Sequence, residues 1–182
     1  MKLLLHTCCA PCAIYPVKKA KEDGFKEITG FFYNPNIQPS VEFVKRSNEV
    51  KNYYANEKLL LLDSVYMPEE YFKWILSFDD NKKRCQVCWQ LRLMKTVATA
   101  KENKIDAFTS TLLASPYQDH DRLKSICQDL SDKFGIRFYY SDFRKGFKEA
   151  HDQAKTKGMY CQNYCGCVFS LVEREESRRK GR

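Results

Sequence analysis

The chain of 182 residues has few glycines and prolines and no long apolar run. Seven glycines and six prolines argue against a low-complexity chain, and no repeat or obvious linker is visible. Only three leucines separate Lys2 from His6, too few for the apolar region of a signal peptide. No run approaches the roughly 20 apolar residues that cross a bilayer. We therefore expect one cytoplasmic domain over residues 1–182, with no membrane partner.

Cysteine, in contrast, is abundant and grouped. Eight of the nine cysteines fall into residues 8–12 (CCAPC), 85–88 (CQVC) and 161–167 (CQNYCGC), and Cys127 stands apart. Cytoplasmic thiols are kept reduced, so paired cysteines there are more often metal ligands or redox catalysts than structural disulfides. The grouping predicts metal or redox chemistry and argues against a secreted disulfide scaffold.

Apolar runs alternate with amphipathic stretches along the chain. The pattern predicts strands at residues 2–7, 27–33, 58–63, 107–113 and 137–141, with helices at 12–23, 41–57, 68–78, 88–103 and 146–157. Cys127 lies on a further apolar stripe with helical spacing and is expected to be core. The alternation indicates an α/β fold with a doubly wound, mainly parallel sheet, Rossmann-like or nucleotide-hydrolase-like. Residues 68–104 are expected to form a small helical insertion that carries the C-x-x-C motif.

Several polar segments follow the predicted strands. Residues 8–12 follow the first strand, 33–36 the second and 110–116 the fourth, and Asp142 follows the last. Ligands of open α/β sheets bind beyond the carboxyl ends of the strands. We therefore expect these segments to meet at one edge of the sheet and to form a site there, with Asp142 as a candidate acid.

Two of the cysteine groups suit a metal cluster. Cys8 and Cys9 occupy a strand-to-helix turn, and Cys85 and Cys88 have basic neighbours; both settings favour thiolates. Tetrahedral zinc requires sulfurs about 3.8 Å apart, and adjacent cysteines tend to direct their side chains apart. A cubane cluster accepts one cysteine at each separate iron corner. These four cysteines therefore predict a [4Fe–4S] site, with zinc as the alternative.

The third group suits redox chemistry. Cys165 and Cys167, separated by Gly166, can close a very small disulfide ring, and strained disulfides are readily reduced and often catalytic. The alternative is that one or both bind a metal. Cys12 and Cys161 are left either as ligands of a second metal, such as an additional iron ion, or as spare thiols.

The same segments resemble one family, the cobalamin-independent epoxyqueuosine reductases, through nearly the whole chain. The motifs are residues 8–12 (CCAPC), 32–37 (FYNPNI), 84–88 (RCQVC), 111–118 (TLLASPYQ), 142–144 (DFR) and 160–170 (YCQNYCGCVFS). Trp89 stands where the family more usually has tyrosine. Gln38 lies in a run where the family often has histidine, so no role is assigned to it.

The resemblance implies the last step of queuosine synthesis. Epoxyqueuosine at the tRNA anticodon loses its epoxide oxygen and gives queuosine and water, with two electrons and two protons consumed. The resemblance implies that Cys8, Cys9, Cys85 and Cys88 bind the [4Fe–4S] cluster. It likewise implies that Cys165 and Cys167 form a redox-active disulfide. The implied partners are tRNA and an electron donor that the sequence does not identify.

Two other functions fit parts of the pattern. A tRNA sulfur-transfer enzyme would also use cysteines, but the first turn lacks the glycine-rich loop that cradles ATP phosphates. A zinc-stabilised RNA-binding module would explain the net charge of +8 and the basic residues at 178–182. A frayed basic tail accounts equally well for that last segment.

Overall fold

The computed structural model describes residues 1–181 and contains one sheet of five parallel strands. The strands are β1 (Lys2–His6), β2 (Glu27–Phe32), β3 (Leu60–Asp63), β4 (Ala107–Ser110) and β5 (Arg137–Phe138). Their order in the sheet is β3-β2-β1-β4-β5. Leu3, Leu4 and Leu5 of the central strand are all buried, because helices cover both faces of a parallel sheet. The predicted α/β, doubly wound parallel architecture is confirmed.

Helices connect the strands and flank the sheet. They are α1 (Ala10–Glu22), α2 (Ser40–Asn56), α3 (Pro68–Ile75), α4 (Asn81–Glu102), α5 (His120–Phe134), α6 (Phe147–Thr156) and α7 (Val168–Lys180), with short 3-10 helices at Thr111–Ala114 and Phe143–Gly146. Within residues 1–181, no helix combines the length and apolar character needed to cross a membrane.

Several element boundaries differ from those predicted, and capping explains two of them. Helix α4 begins at Asn81 because the Asp80 side chain accepts the Lys83 backbone N–H at 2.9 Å, so the C-x-x-C motif lies inside the helix. Strand β4 ends at Ser110, whose hydroxyl accepts the Leu112 N–H and starts a 3-10 helix. Helix α7 was not predicted and occupies most of the basic C-terminal segment. Arg182 of that segment lies outside the described residues.

A small hydrophobic cluster beside the main core positions the site. It contains buried Tyr71 and Ile75 of α3 and Cys88 of α4, and Cys167 and Phe169 pack against it. Further along α4, Leu93 and Val97 belong to the main core around the sheet. Helix α4 therefore connects the sheet to the cluster, and the start of α7 is docked on that cluster.

Candidate active site

The three cysteine groups meet at one cavity of about 820 Å³. The cysteines that line it are Cys8, Cys12, Cys85, Cys88, Cys165 and Cys167. Thr111 and Leu112, which follow β4, also line it. The cavity thus lies beyond the carboxyl ends of β1 and β4, as predicted. Segments separated by about a hundred residues of chain can act there on one ligand.

The turn after β1 holds three sulfurs close together. The Sγ atoms of Cys8, Cys9 and Cys12 all lie within 4.8 Å of one another. Cys8 Sγ is 3.9 Å from Cys9 Sγ, so the expectation that the two side chains diverge is wrong, and the spacing itself does not argue against zinc. Cys9 and Cys12 are joined as a disulfide. Because only thiolates bind metals, metal binding by Cys9 requires reduction of that bond.

The C-x-x-C motif contributes two thiols from the first turns of α4. Burial raises the pKa of Cys88, and the guanidinium of Arg92 partly opposes this effect. Cys85 is exposed, yet partial desolvation and the nearby Cys88 raise its pKa to about 11. Both thiols are therefore protonated at neutral pH when no cation is bound. Metal binding at this motif would displace those protons.

Cys165 and Cys167 form a close but unbonded pair, with their Sγ atoms 3.5 Å apart. Cys167 caps α7, and its sulfur accepts the backbone N–H of Ser170 at 3.4 Å. The Cys165 thiol donates to the Cys167 sulfur; this bond and the helix terminus lower the pKa of Cys167. The same bond, together with desolvation of the sulfur in an otherwise exposed residue, raises the pKa of Cys165. One thiolate therefore sits beside one thiol that keeps its proton.

Gly166, between these cysteines, has φ of +121°. Residues with a Cβ atom rarely adopt that conformation, which supports the reason given for a glycine at this position. The dithiol geometry therefore depends on a backbone shape that glycine permits.

Cationic and aromatic side chains surround the cysteines. The cations in the cavity wall are Arg46, Arg84, Arg92, Lys148 and Lys155, and the aromatic residues are Tyr71, Trp89, Tyr117, Phe147, Tyr164 and Phe169. Trp89 donates its Nε1–H to Gln118 Oε1 at 3.0 Å, which fixes the indole ring in the wall. Such a wall suits a planar, anionic ligand, since phosphates attract cations and bases stack on aromatic rings.

Residues 3–173 match the family model described as Epoxyqueuosine reductase QueH. The chain belongs to the epoxyqueuosine reductase QueH family. The Epoxyqueuosine reductase QueH of Thermotoga maritima is 36% identical over 98% of this chain and 97% of its own length. That of Dehalococcoides mccartyi is 37% identical over 95% of this chain and 94% of its own length. The predicted family and the prediction of an oxidoreductase are both confirmed.

Three residues considered from the sequence lie away from the cysteine cavity of this QueH family member. Asp142 is not among the lining residues; its carboxylate accepts Arg144 Nε–H at 2.7 Å and Nη2–H at 2.8 Å. These bonds lower the pKa of Asp142 to about 2, so it is ionised at neutral pH. Cys161 packs against the main core, and burial raises its pKa. Cys127 is fully buried in the core, as predicted.

Sequence reasoning missed Arg46, which contacts the backbone at Cys165. Arg46 lies within a helix whose sequence resembles an ordinary charged surface, and only the fold shows that it is buried. Two other polar residues lie where the sequence led us to expect them. Thr111, in the predicted site segment 110–116, contacts Cys8, and Arg92, a basic neighbour of the C-x-x-C motif, acts on Cys88.

Proposed function

We propose that this protein reduces epoxyqueuosine in tRNA to queuosine. The observation that carries the proposal is the convergence of three cysteine groups on one cavity whose wall is cationic and aromatic. The name shared by the Thermotoga and Dehalococcoides relatives supplies the reaction. Removal of an epoxide oxygen as water needs two electrons and two protons, and a pair of cysteines that forms a disulfide can deliver the electrons.

We assign the [4Fe–4S] cluster to Cys8, Cys9, Cys85 and Cys88. The donors fit, because thiolates are the ligands of such clusters and Cys8, Cys85 and Cys88 line one cavity. Cys9 does not line the cavity, but its buried Sγ lies 3.9 Å from that of Cys8. Arg92 offsets the negative charge that Cys88 acquires on binding. The chemistry that the cluster supplies is one-electron transfer beside the substrate. Reduction of the disulfide at Cys9 is a requirement of this assignment.

Cys165 and Cys167 are proposed to store the electron pair. In the reduced state the Cys165 thiol and the Cys167 thiolate lose two electrons and one proton and become joined by an S–S bond. The epoxide gains the electrons, its two C–O bonds break, a C=C bond forms, and the oxygen leaves as water with that proton and a second proton from solvent. An external electron donor, still unidentified, then reduces the disulfide again. Because the pKa of Cys167 is lowered, its sulfur has thiolate character, and the thiolate is the reactive form of a cysteine.

The cavity also offers unpartnered acceptors for a hydroxyl-rich substrate. Asn36 Oδ1 and Gln162 Oε1 are buried and have no hydrogen-bond partner within residues 1–181, and both residues line the cavity. Buried acceptors without partners cost free energy, so a ligand that donates to them is favoured. Hydroxyl groups of the modified nucleoside are donors of this kind.

Three of the residues considered for additional roles do not enter the mechanism. Asp142 is held by Arg144 and is ionised at neutral pH, so one proton is taken from the Cys165 thiol and the other from solvent. Cys12 lines the cavity and receives a contact from Gln162 Nε2 at 3.8 Å, whereas Cys161 packs on the core. We therefore propose that Cys161 and, once its bond to Cys9 is reduced, Cys12 are spare thiols, and we do not propose a second iron that they share.

The test is anaerobic reconstitution with iron and sulfide, followed by incubation with tRNA that contains epoxyqueuosine and a reductant. Mass analysis of the nucleosides should show loss of one oxygen. A protein that carries stoichiometric zinc and no iron, and leaves the tRNA unchanged, would support the RNA-binding module. ATP-dependent transfer of sulfur to tRNA would support the sulfur-transfer enzyme.

A further inference from the structure

We infer that Arg46 is a positioning residue for the Cys165/Cys167 pair. The inference deepens the proposed function and rests on its redox pair. Arg46 touches neither sulfur atom in the hydrogen-bond pattern; it holds the backbone that presents them. Helix α2, which carries Arg46, thereby controls how readily the two thiols form a bond.

The guanidinium of Arg46 makes two hydrogen bonds to this loop. Its Nη1–H donates to the Cys165 carbonyl oxygen at 3.0 Å, and its Nη2–H donates to the Tyr164 carbonyl oxygen at 3.1 Å. Its Nε–H donates to Glu42 Oε1 at 2.7 Å, and Tyr160 donates to the other Glu42 oxygen at 2.7 Å. Arg46 is only 2% exposed. A buried charge is retained at such a position only where its partners are fixed, and here two partners are the loop backbone.

Gln38 gives the same loop a second anchor. Its backbone N–H donates to the Gly166 carbonyl oxygen at 2.7 Å, and its Oε1 accepts the Val168 N–H at 3.2 Å. Tyr164 donates its hydroxyl to the Gln38 carbonyl oxygen at 2.5 Å. These contacts give a role to the position that the sequence resemblance left unassigned. The loop is therefore bound from α2 and from the segment before it.

The space at Gly166 shows how closely the anchor fits. A Cβ atom built on Gly166 would lie 3.2 Å from Arg46 Nη1 and 2.9 Å from Ile37 Cγ1. The guanidinium thus packs against the one residue that separates the two cysteines. A change at Arg46 is transmitted directly to the backbone between the thiols.

The expected consequence concerns the dithiol–disulfide equilibrium. A disulfide already restrains its own ring, whereas the dithiol loop depends on contacts such as the backbone hydrogen bonds to Arg46 and Gln38. Release of the anchor therefore gives more freedom to the dithiol and disfavours oxidation. We expect about a tenfold decrease in the equilibrium constant for disulfide formation, the scale of losing one charged hydrogen bond.

The experiment measures that equilibrium in the reconstituted full-length protein. Wild type, Arg46→Met and Arg46→Lys are equilibrated anaerobically with dithiothreitol at graded oxidised-to-reduced ratios. Thiols are then trapped with N-ethylmaleimide. Mass spectrometry of the tryptic peptide over residues 158–174 reports whether Cys165 and Cys167 are bonded. The equilibrium constant for disulfide formation should be about tenfold lower for Arg46→Met than for wild type. Arg46→Lys should give an intermediate value, because lysine keeps the positive charge but lacks the two parallel N–H donors of the guanidinium.

A second variant and a control keep the test decisive. Tyr164→Phe removes one anchor to Gln38 with little change in packing, and should lower the constant by about threefold, as expected for one neutral hydrogen bond. Arg144→Met breaks an ion pair outside the cavity and should leave the constant unchanged. If Arg46→Met does not fold, Arg46→Lys and Tyr164→Phe carry the test.

The outcomes separate this inference from the proposed function. Constants within twofold of wild type in the folded variants overturn the positioning role and leave the redox pair intact. A wild-type protein in which Cys165 and Cys167 never become bonded overturns the redox pair, and the inference with it. Because this experiment contains no tRNA, its results on Arg46 and on the redox pair do not depend on whether the protein reduces tRNA.

Discussion

The hydroxyl of Thr111 donates a hydrogen bond to Sγ of Cys8 at 3.2 Å and accepts the Cys8 backbone N–H at 3.0 Å. Cys8 lies beyond β1 and Thr111 beyond β4, and these strands are neighbours in the sheet. One buried threonine therefore fixes both the backbone and the thiol of the first cysteine of the site. This fixation orients a sulfur that lines the cavity.

We predict that Thr111→Val weakens binding of the cluster. The variant loses a hydrogen bond to a charged sulfur, which is worth about 1.5–3 kcal/mol, so the cluster should be lost to a chelator at least about tenfold faster. Anaerobic decay of the visible absorbance measures this loss. Thr109→Val is the matched control, because Thr109 is equally buried on β4 and its hydroxyl has no hydrogen-bond partner in the described part of the chain. Equal decay rates for Thr111→Val and wild type would contradict the assignment.

Replacing Cys85 or Cys88 by alanine should abolish the cluster's visible absorbance and most of the bound iron. Each removes one of the four proposed ligands, and an unligated iron corner leaves the cluster labile. Cys127→Ala should keep both signals, because Cys127 is buried in the core. It should lose only stability, by about 1 kcal/mol. Iron analysis after reconstitution measures whether each variant still binds the cluster. A Cys88→Ala protein with the full iron content would exclude Cys88 as a ligand.

Gly166→Ala should both destabilise the protein and disturb the thiol pair. The residue combines a positive φ with a Cβ position 2.9 Å from Ile37, so we expect a loss of about 1–3 kcal/mol in the free energy of unfolding. Gly158→Ala has a positive φ but open space around it, and should cost only about 1 kcal/mol. Chemical denaturation compares the two. A smaller loss for Gly166→Ala than for Gly158→Ala would show that the loop is not packed as described.

Asp142→Asn should retain tRNA reduction at pH 7 and change only stability. The folded-state pKa of Asp142 is lowered to about 2, mainly by the bonds from Arg144. A lowered carboxyl pKa stabilises the fold above the unfolded pKa of about 4, and that contribution is lost as pH falls towards 2.

The stability difference between wild type and Asp142→Asn should therefore be up to about 1 kcal/mol at pH 6, as for a partly exposed ion pair, and should vanish near pH 2. Thermal or urea unfolding across this range measures it. A difference that grows at low pH would reverse the sign expected here, and loss of reductase activity at pH 7 would restore the acid role.

Sequence patterns predicted the sheet and the meeting of cysteine segments, because strand–helix alternation and carboxyl-end placement follow from local signals. They did not predict helix α7, whose polar sequence shows no apolar stripe and which begins at the Cys167 cap. Nor did they place Arg46, since burial of a helical arginine depends on a loop more than a hundred residues away. The expected divergence of Cys8 and Cys9 failed because the turn geometry brings the two sulfurs together.

The most direct test of the account is a single turnover without any external reductant. Fully reduced, cluster-loaded enzyme is mixed anaerobically with tRNA that contains epoxyqueuosine, and both nucleosides and thiols are analysed over time. The account predicts that each epoxyqueuosine that loses its oxygen is matched by one new bond between Cys165 and Cys167. Queuosine that accumulates while this pair remains dithiol, or tRNA that stays unreduced by a fully loaded enzyme, would contradict it.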